Sequence, residues 1–92
     1  MTSRQWNLVV AGPAARALSE QIPEKITHAI VEFIYSSLLK NPHQVGYELK
    51  FELSGFWSAK RGAYRIIYKI DENSKTVEIL DIAHRADVYR SD

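Results

Sequence analysis

Ala63-Tyr64-Arg65-Ile66-Ile67-Tyr68-Lys69-Ile70 is the stretch on which the fold turns. Its alternation places Tyr64, Ile66, Tyr68 and Ile70 on one face of a strand, and Ala63, Arg65, Ile67 and Lys69 on the other. A strand with an aromatic–aliphatic face and a cationic face is half-buried: other elements pack on the first face and leave the second open. Arg61-Gly62 before it and Asp71-Glu72-Asn73-Ser74-Lys75 after it read as turns. Neighbouring strands are therefore expected over residues 57–60 and 76–82, the latter too apolar throughout to fix its own register. Arg65, on the open face, is expected to be exposed, so that its replacement by Ala leaves the melting temperature nearly unchanged.

Working outward toward the N-terminus, the period changes. Residues 5–10 read as a first strand in which Trp6, Leu8 and Val10 alternate with Gln5, Asn7 and Val9. Gly12-Pro13 ends it, and Pro13 suits the first position of a short helix over 14–21, with Ala14, Ala17 and Leu18 inward. Pro23 opens a longer helix that runs to Lys40 on the stripe Ile26, Ala29, Ile30, Phe33, Ile34 and Leu38, and Asn41-Pro42 stops it. Val31, Tyr35 and Leu39 form a second apolar line at i, i+4, i+8, which fits a surface that takes a partner. The last residues, 83–92, read as a short polar tail. The expected architecture is α+β, in the order β-α-α-β-β-β: a small antiparallel sheet with a helical hairpin packed on one face.

Ninety-two residues, 46 % apolar and 25 % charged, describe one domain, here residues 1–92. The absence of Cys excludes a disulfide scaffold, thiolate catalysis and Cys-based zinc sites. No apolar run approaches the length of a membrane helix or of a signal-peptide core, so the reading is cytoplasmic, without a membrane partner. His28, His43 and His84 lie far apart and have no metal-ligand spacing. There is no Gly-rich phosphate loop, no G-x-S-x-G and no paired-carboxylate pocket, so no metal or cofactor is expected.

The charge is informative once it is divided. Over residues 1–52 five basic residues balance five acids. Over residues 53–70 Lys60, Arg61, Arg65 and Lys69 stand with no acid among them, giving +4 in a chain whose formal net charge is +1. That is the signature of a local anion site, not of a general coat for nucleic acid.

Two motifs then carry a family likeness. Leu53-Ser54-Gly55-Phe56-Trp57-Ser58-Ala59-Lys60-Arg61-Gly62 runs into the strand already quoted, and His84-Arg85-Ala86-Asp87-Val88-Tyr89-Arg90 follows near the end. In this order and spacing the chain closely resembles RelE-type toxins of the RelE/ParE toxin–antitoxin superfamily, over essentially its whole length. The resemblance implies a RelE-like fold and an endoribonuclease that enters the ribosomal A site. There it cuts mRNA by attack of a ribose 2′-OH on the adjacent phosphate. It also implies ribosome and mRNA as partners, and a cognate RelB-like antitoxin in a toxin–antitoxin hetero-oligomer. A ParE-type toxin that inhibits DNA gyrase without cleaving anything is the alternative; His84-Arg85 with Tyr89 resembles the nuclease branch.

By the same resemblance Arg65 is assigned to the scissile phosphate. Lys60 and Arg61 match the family's basic residues before the turn, and hairpin register decides which of them points into the site. Arg85 is expected to contact phosphate or support the leaving group, and Tyr89 to stack on a base or transfer a proton. His84 is either an acid–base group or a residue satisfied at a strand end. Lys69 and Arg90 are expected to contact RNA together with Lys60 and Arg61. Some relatives carry two lysines in the strand before the turn, where this chain has Phe56 or Trp57 and Ser58. Where such a lysine is the general base, the resemblance implies that this chain uses Lys60, Arg61 or His84 instead.

Overall fold

The structure is a computed structural model and describes residues 5–84. Its elements are β1 (Asn7–Val10), α1 (Gly12–Arg16), α2 (Glu24–Phe33), α3 (Pro42–Val45), β2 (Tyr47–Glu48), β3 (Trp57–Arg61), β4 (Tyr64–Asp71) and β5 (Thr76–His84). α1 continues as a wider π-helical turn over Ala17–Gln21, and α2 does the same over Ile34–Leu38. Together the two form the expected helical hairpin. Among the described residues no helix is long and apolar enough to cross a membrane.

The five strands form one sheet in the order β1-β5-β4-β3-β2. β2, β3, β4 and β5 pair antiparallel, as expected, but β1 pairs parallel with β5, Leu8 opposite Val77 and Val10 opposite Ile79. The sheet is therefore mixed. The helical hairpin between β1 and the later strands carries the chain back across the sheet, which makes a parallel edge strand possible.

The quoted strand behaves as its alternation demands. Ile66 and Tyr68 are fully buried and Tyr64 and Ile70 pack against the core, beside Ala59 of β3 and Val77, Ile79 and Ile82 of β5. Ala14, Ala17, Ile30, Ile34, Leu38 and Leu39 cover this face from the helices. The apolar flank expected of Val31, Tyr35 and Leu39 divides. Leu39 is core at 2 % exposure, whereas Tyr35 is 50 % exposed. The wide π turn accounts for this, because its extra residue shifts the helical phase and turns both Leu38 and Leu39 inward.

Asn41 does break the long helix, and Pro42 then opens α3 at the position its ring prefers. Tyr68 explains the next turn of the chain. Its hydroxyl donates to the Pro42 carbonyl at 2.7 Å, so a buried polar tip is satisfied and α3 is tied to β4. Gly46 follows at the point of closest approach. A Cβ there would collide with the Tyr68 hydroxyl and lie 2.6 Å from the Ser58 carbonyl oxygen. Only glycine lets the backbone pass so near β3 and begin β2. β5 runs two residues further than expected, to His84, because Tyr64 still offers it a partner there.

Candidate functional site

Strand register decides which side chains share the uncovered face. Lys60 of β3 lies opposite Arg65 of β4, and Arg65 lies opposite Ala83 of β5. Arg61 lies opposite Tyr64, and Tyr64 opposite His84. Alternation therefore sends Lys60 and Arg65 to the uncovered face and Arg61 and His84 to the helix-covered one. The question left open by the sequence is answered: Lys60 points with Arg65, and Arg61 does not. Arg61 instead borders a cleft of about 220 Å³ with Ile26, Ala29, Ile30 and Tyr64. His84 sets its ring edge-on to Tyr64, with centroids 5.2 Å apart. Neither is brought to Arg65.

Arg65 corrects a second expectation. It stands on the uncovered face but is only 8 % exposed. β4 is a central strand, with β3 on one side and β5 on the other. Arg65 Nη1 donates to the Tyr47 hydroxyl at 2.9 Å. Tyr47 sits on β2 opposite Ser58 of β3, and it is 53 % exposed. Three strands thus contribute Tyr47, Ser58, Lys60 and Arg65 to one patch.

The patch perturbs its phenol. The Arg65 hydrogen bond holds Tyr47 below its ordinary pKa of 10.0, and partial burial opposes this. The Arg65 charge, the neighbouring Ser58 hydroxyl and the Lys60 charge add to the lowering. A phenolate beside two cations is stabilised by the same interactions that hold the guanidinium in place. The patch can therefore bind an anion through a preorganised guanidinium fork and an ammonium, with a phenol beside them.

The remaining expected residues are placed as follows. Lys69 is on the same face as Arg65 but four residues on, about 13 Å along the strand. Its ammonium lies over the Phe56 ring, 5.1 Å from the centroid, and its cross-strand partner is Glu78. Ser58 stands on the uncovered face, while Trp57 turns inward and stacks on Tyr68 with centroids 6.2 Å apart. Arg85, Tyr89 and Arg90 lie outside the described residues. The patch holds one residue that sequence reading missed, Tyr47. A two-residue strand leaves no periodicity, and only the Gly46-Tyr47 pair marks the spot.

Small toxins share this arrangement of a sheet with a helical hairpin on one face. The family model for the ParE toxin of the type II toxin–antitoxin system parDE matches residues 7–89. A relative named Toxin RelE, from Mycobacterium tuberculosis, is 45 % identical over 85 residues, covering 92 % of this chain and 87 % of its own. Toxin RelG of the same organism is 46 % identical over 76 residues, covering 83 % and 87 %. The toxin–antitoxin complex RelBE of M. tuberculosis contains a chain 39 % identical, with a TM-score of 0.84 over 89 % of this chain and 100 % of that one. The RelE–RelB complex of Pyrococcus horikoshii shares the fold at 21 % identity, with a TM-score of 0.70 over 96 % of this chain and all of that one.

The chain belongs to the ParE toxin family of the RelE/ParE superfamily. Within it, it is a type II toxin of the RelE kind.

Proposed function

We propose that this toxin is an endoribonuclease that acts in the cytoplasm on mRNA in the ribosomal A site. The 2′-OH attacks the adjacent phosphorus, the bond to the 5′-oxygen breaks, and a cyclic phosphate and a free 5′-OH result. The observation that carries the reading is the pairing of Lys60 with Arg65 on the uncovered face, with Tyr47 held against the guanidinium. The pentacoordinate phosphorane gains negative charge, and donors fixed in advance stabilise charge that develops there. Arg65 is fixed in this sense by its burial and by its hydrogen bond to Tyr47. Likeness to proteins named RelE and RelG supports the same assignment.

A cognate RelB-like antitoxin belongs to this reading, since structural relatives are found in toxin–antitoxin complexes. Arg85, Tyr89 and Arg90 retain the roles the resemblance gives them, while Arg61 and His84 face the other side of the sheet and have no part in the Lys60–Arg65 patch.

Incubating the protein with mRNA alone, with mRNA-programmed ribosomes and with DNA gyrase tests the proposal. Mapped 5′ ends that appear only with programmed ribosomes are expected. The family model's name favours one second reading, gyrase inhibition. Gyrase poisoning without any mRNA cleavage establishes that reading instead.

A further inference from the structure

Tyr47 helps to fix Arg65 in the patch, but its own proton has no part in the chemistry described so far. We propose that Tyr47 is the general acid of the cleavage: its hydroxyl gives its proton to the departing 5′-oxygen while Arg65 and Lys60 hold the phosphate. The assignment rests on the nuclease reading above and adds to it the group that handles the leaving oxygen.

The geometry supports a donor. The Tyr47 oxygen accepts from Arg65 Nη1, so its own O–H bond points away from the guanidinium. The ring is half exposed on an edge strand, within reach of a bound chain, whereas Arg65 is buried beneath it. The phenolate that Tyr47 becomes is stabilised by Arg65 and Lys60, which explains the direction of its shift. Position is guaranteed by Gly46, the one residue whose lack of a Cβ lets β2 lie against Ser58.

The step balances. Solvent hydroxide takes the 2′-OH proton as the new bond from the 2′-oxygen to phosphorus forms. The phosphorus bond to the 5′-oxygen breaks, and its electron pair takes up the Tyr47 proton to give the free 5′-OH. Water then reprotonates the phenolate and regenerates hydroxide.

The test compares two synthetic mRNAs on programmed ribosomes: one with an ordinary scissile phosphodiester, one with sulfur in place of the bridging 5′-oxygen. A thiolate leaves without a proton. Tyr47→Phe, assayed well below its own melting temperature so that the folded fraction is close to one, is expected to slow cleavage of the oxygen substrate about a hundredfold or more, the usual worth of a general acid. On the sulfur substrate it is expected to recover most of this loss, falling short of the wild-type rate only by what the missing bond to Arg65 costs. If the variant is equally slow on both, Tyr47 only orients Arg65 and the assignment is wrong; full activity on the oxygen substrate overturns it as well. If the wild-type protein cuts neither, the nuclease reading fails and takes this assignment with it. The two failures are thus distinguishable.

Discussion

Replacing Arg65 by Ala separates what this residue does for the fold from what it does for chemistry. Its burial and its bond to Tyr47 imply a stability cost that an exposed strand arginine would not have. A hydrogen bond with a charged donor contributes about 1.5–3 kcal/mol. The two methylenes lost beyond Cβ contribute about 0.8 kcal/mol each when buried. Relief of the guanidinium's own desolvation offsets part of this. A net loss of about 2 kcal/mol follows, which for a domain of this size lowers Tm by about 8–16 °C. The catalytic loss is of another order: one preorganised donor to a developing oxyanion is worth about a hundredfold to a thousandfold in rate. Cleavage of programmed ribosomes is therefore compared well below the variant's Tm, where the folded fraction is close to one. Ile66→Ala serves as the control, because Ile66 is wholly buried on the other face. It should lose about 2–5 kcal/mol and, while folded, cut normally. An Arg65→Ala protein with unchanged Tm refutes the structural argument, and one that cuts at the wild-type rate refutes the chemical one.

Three further outcomes are expected. Lys60→Ala should slow cleavage about tenfold or more, since it removes one of two cations from the phosphate site, whereas Arg61→Ala should not; equal losses in a side-by-side rate assay would mean that the β3–β4 register is wrong. Gly46→Ala should destabilise the protein by about 1–3 kcal/mol through overpacking, seen as a lowered urea midpoint, because the new methyl meets Tyr68 and the Ser58 carbonyl. Tyr68 has its pKa raised by burial, so the folded protein keeps this proton at pH values where the unfolded chain loses it. Its contribution is complete below pH 10 or so and declines above it by up to about 1.4 kcal/mol per unit. Tyr68→Phe should thus be less stable than wild type at neutral pH, leaving the Pro42 carbonyl unpaired, and should show a flatter alkaline decline in denaturant titrations.

The legible part of this molecule is the part with a period. Tyr64, Ile66, Tyr68 and Ile70 announced a covered face, and the helix stripe supplied what covers it. The motif from Leu53 to Gly62 led to the right strand pair. What a period cannot carry is the pairing between strands. A one-residue change in β3–β4 register exchanges Lys60 for Arg61 on the uncovered face, and nothing in the local sequence distinguishes the two arrangements. His84 was ambiguous for the same reason, until its pairing with Tyr64 placed it on the helix side. The parallel pairing of β1 and the burial of Leu39 also depend on long-range packing, the second through a π turn that no helical wheel anticipates.

Tyr47 marks the limit more sharply, because its position follows from a chain of contacts spread over the sequence. The Tyr68 hydroxyl reaches the Pro42 carbonyl, Gly46 passes closely over Tyr68 and Ser58, and β2 begins at Tyr47 opposite Ser58. Its hydroxyl then meets Arg65, 18 residues further along the chain. Every link is dictated by size or by a single hydrogen bond, and none by periodicity. A buried tyrosine on the covered face thus sets where an exposed tyrosine stands on the uncovered one. Stability and the reactive patch are joined through Gly46, so a change at this glycine should weaken both together.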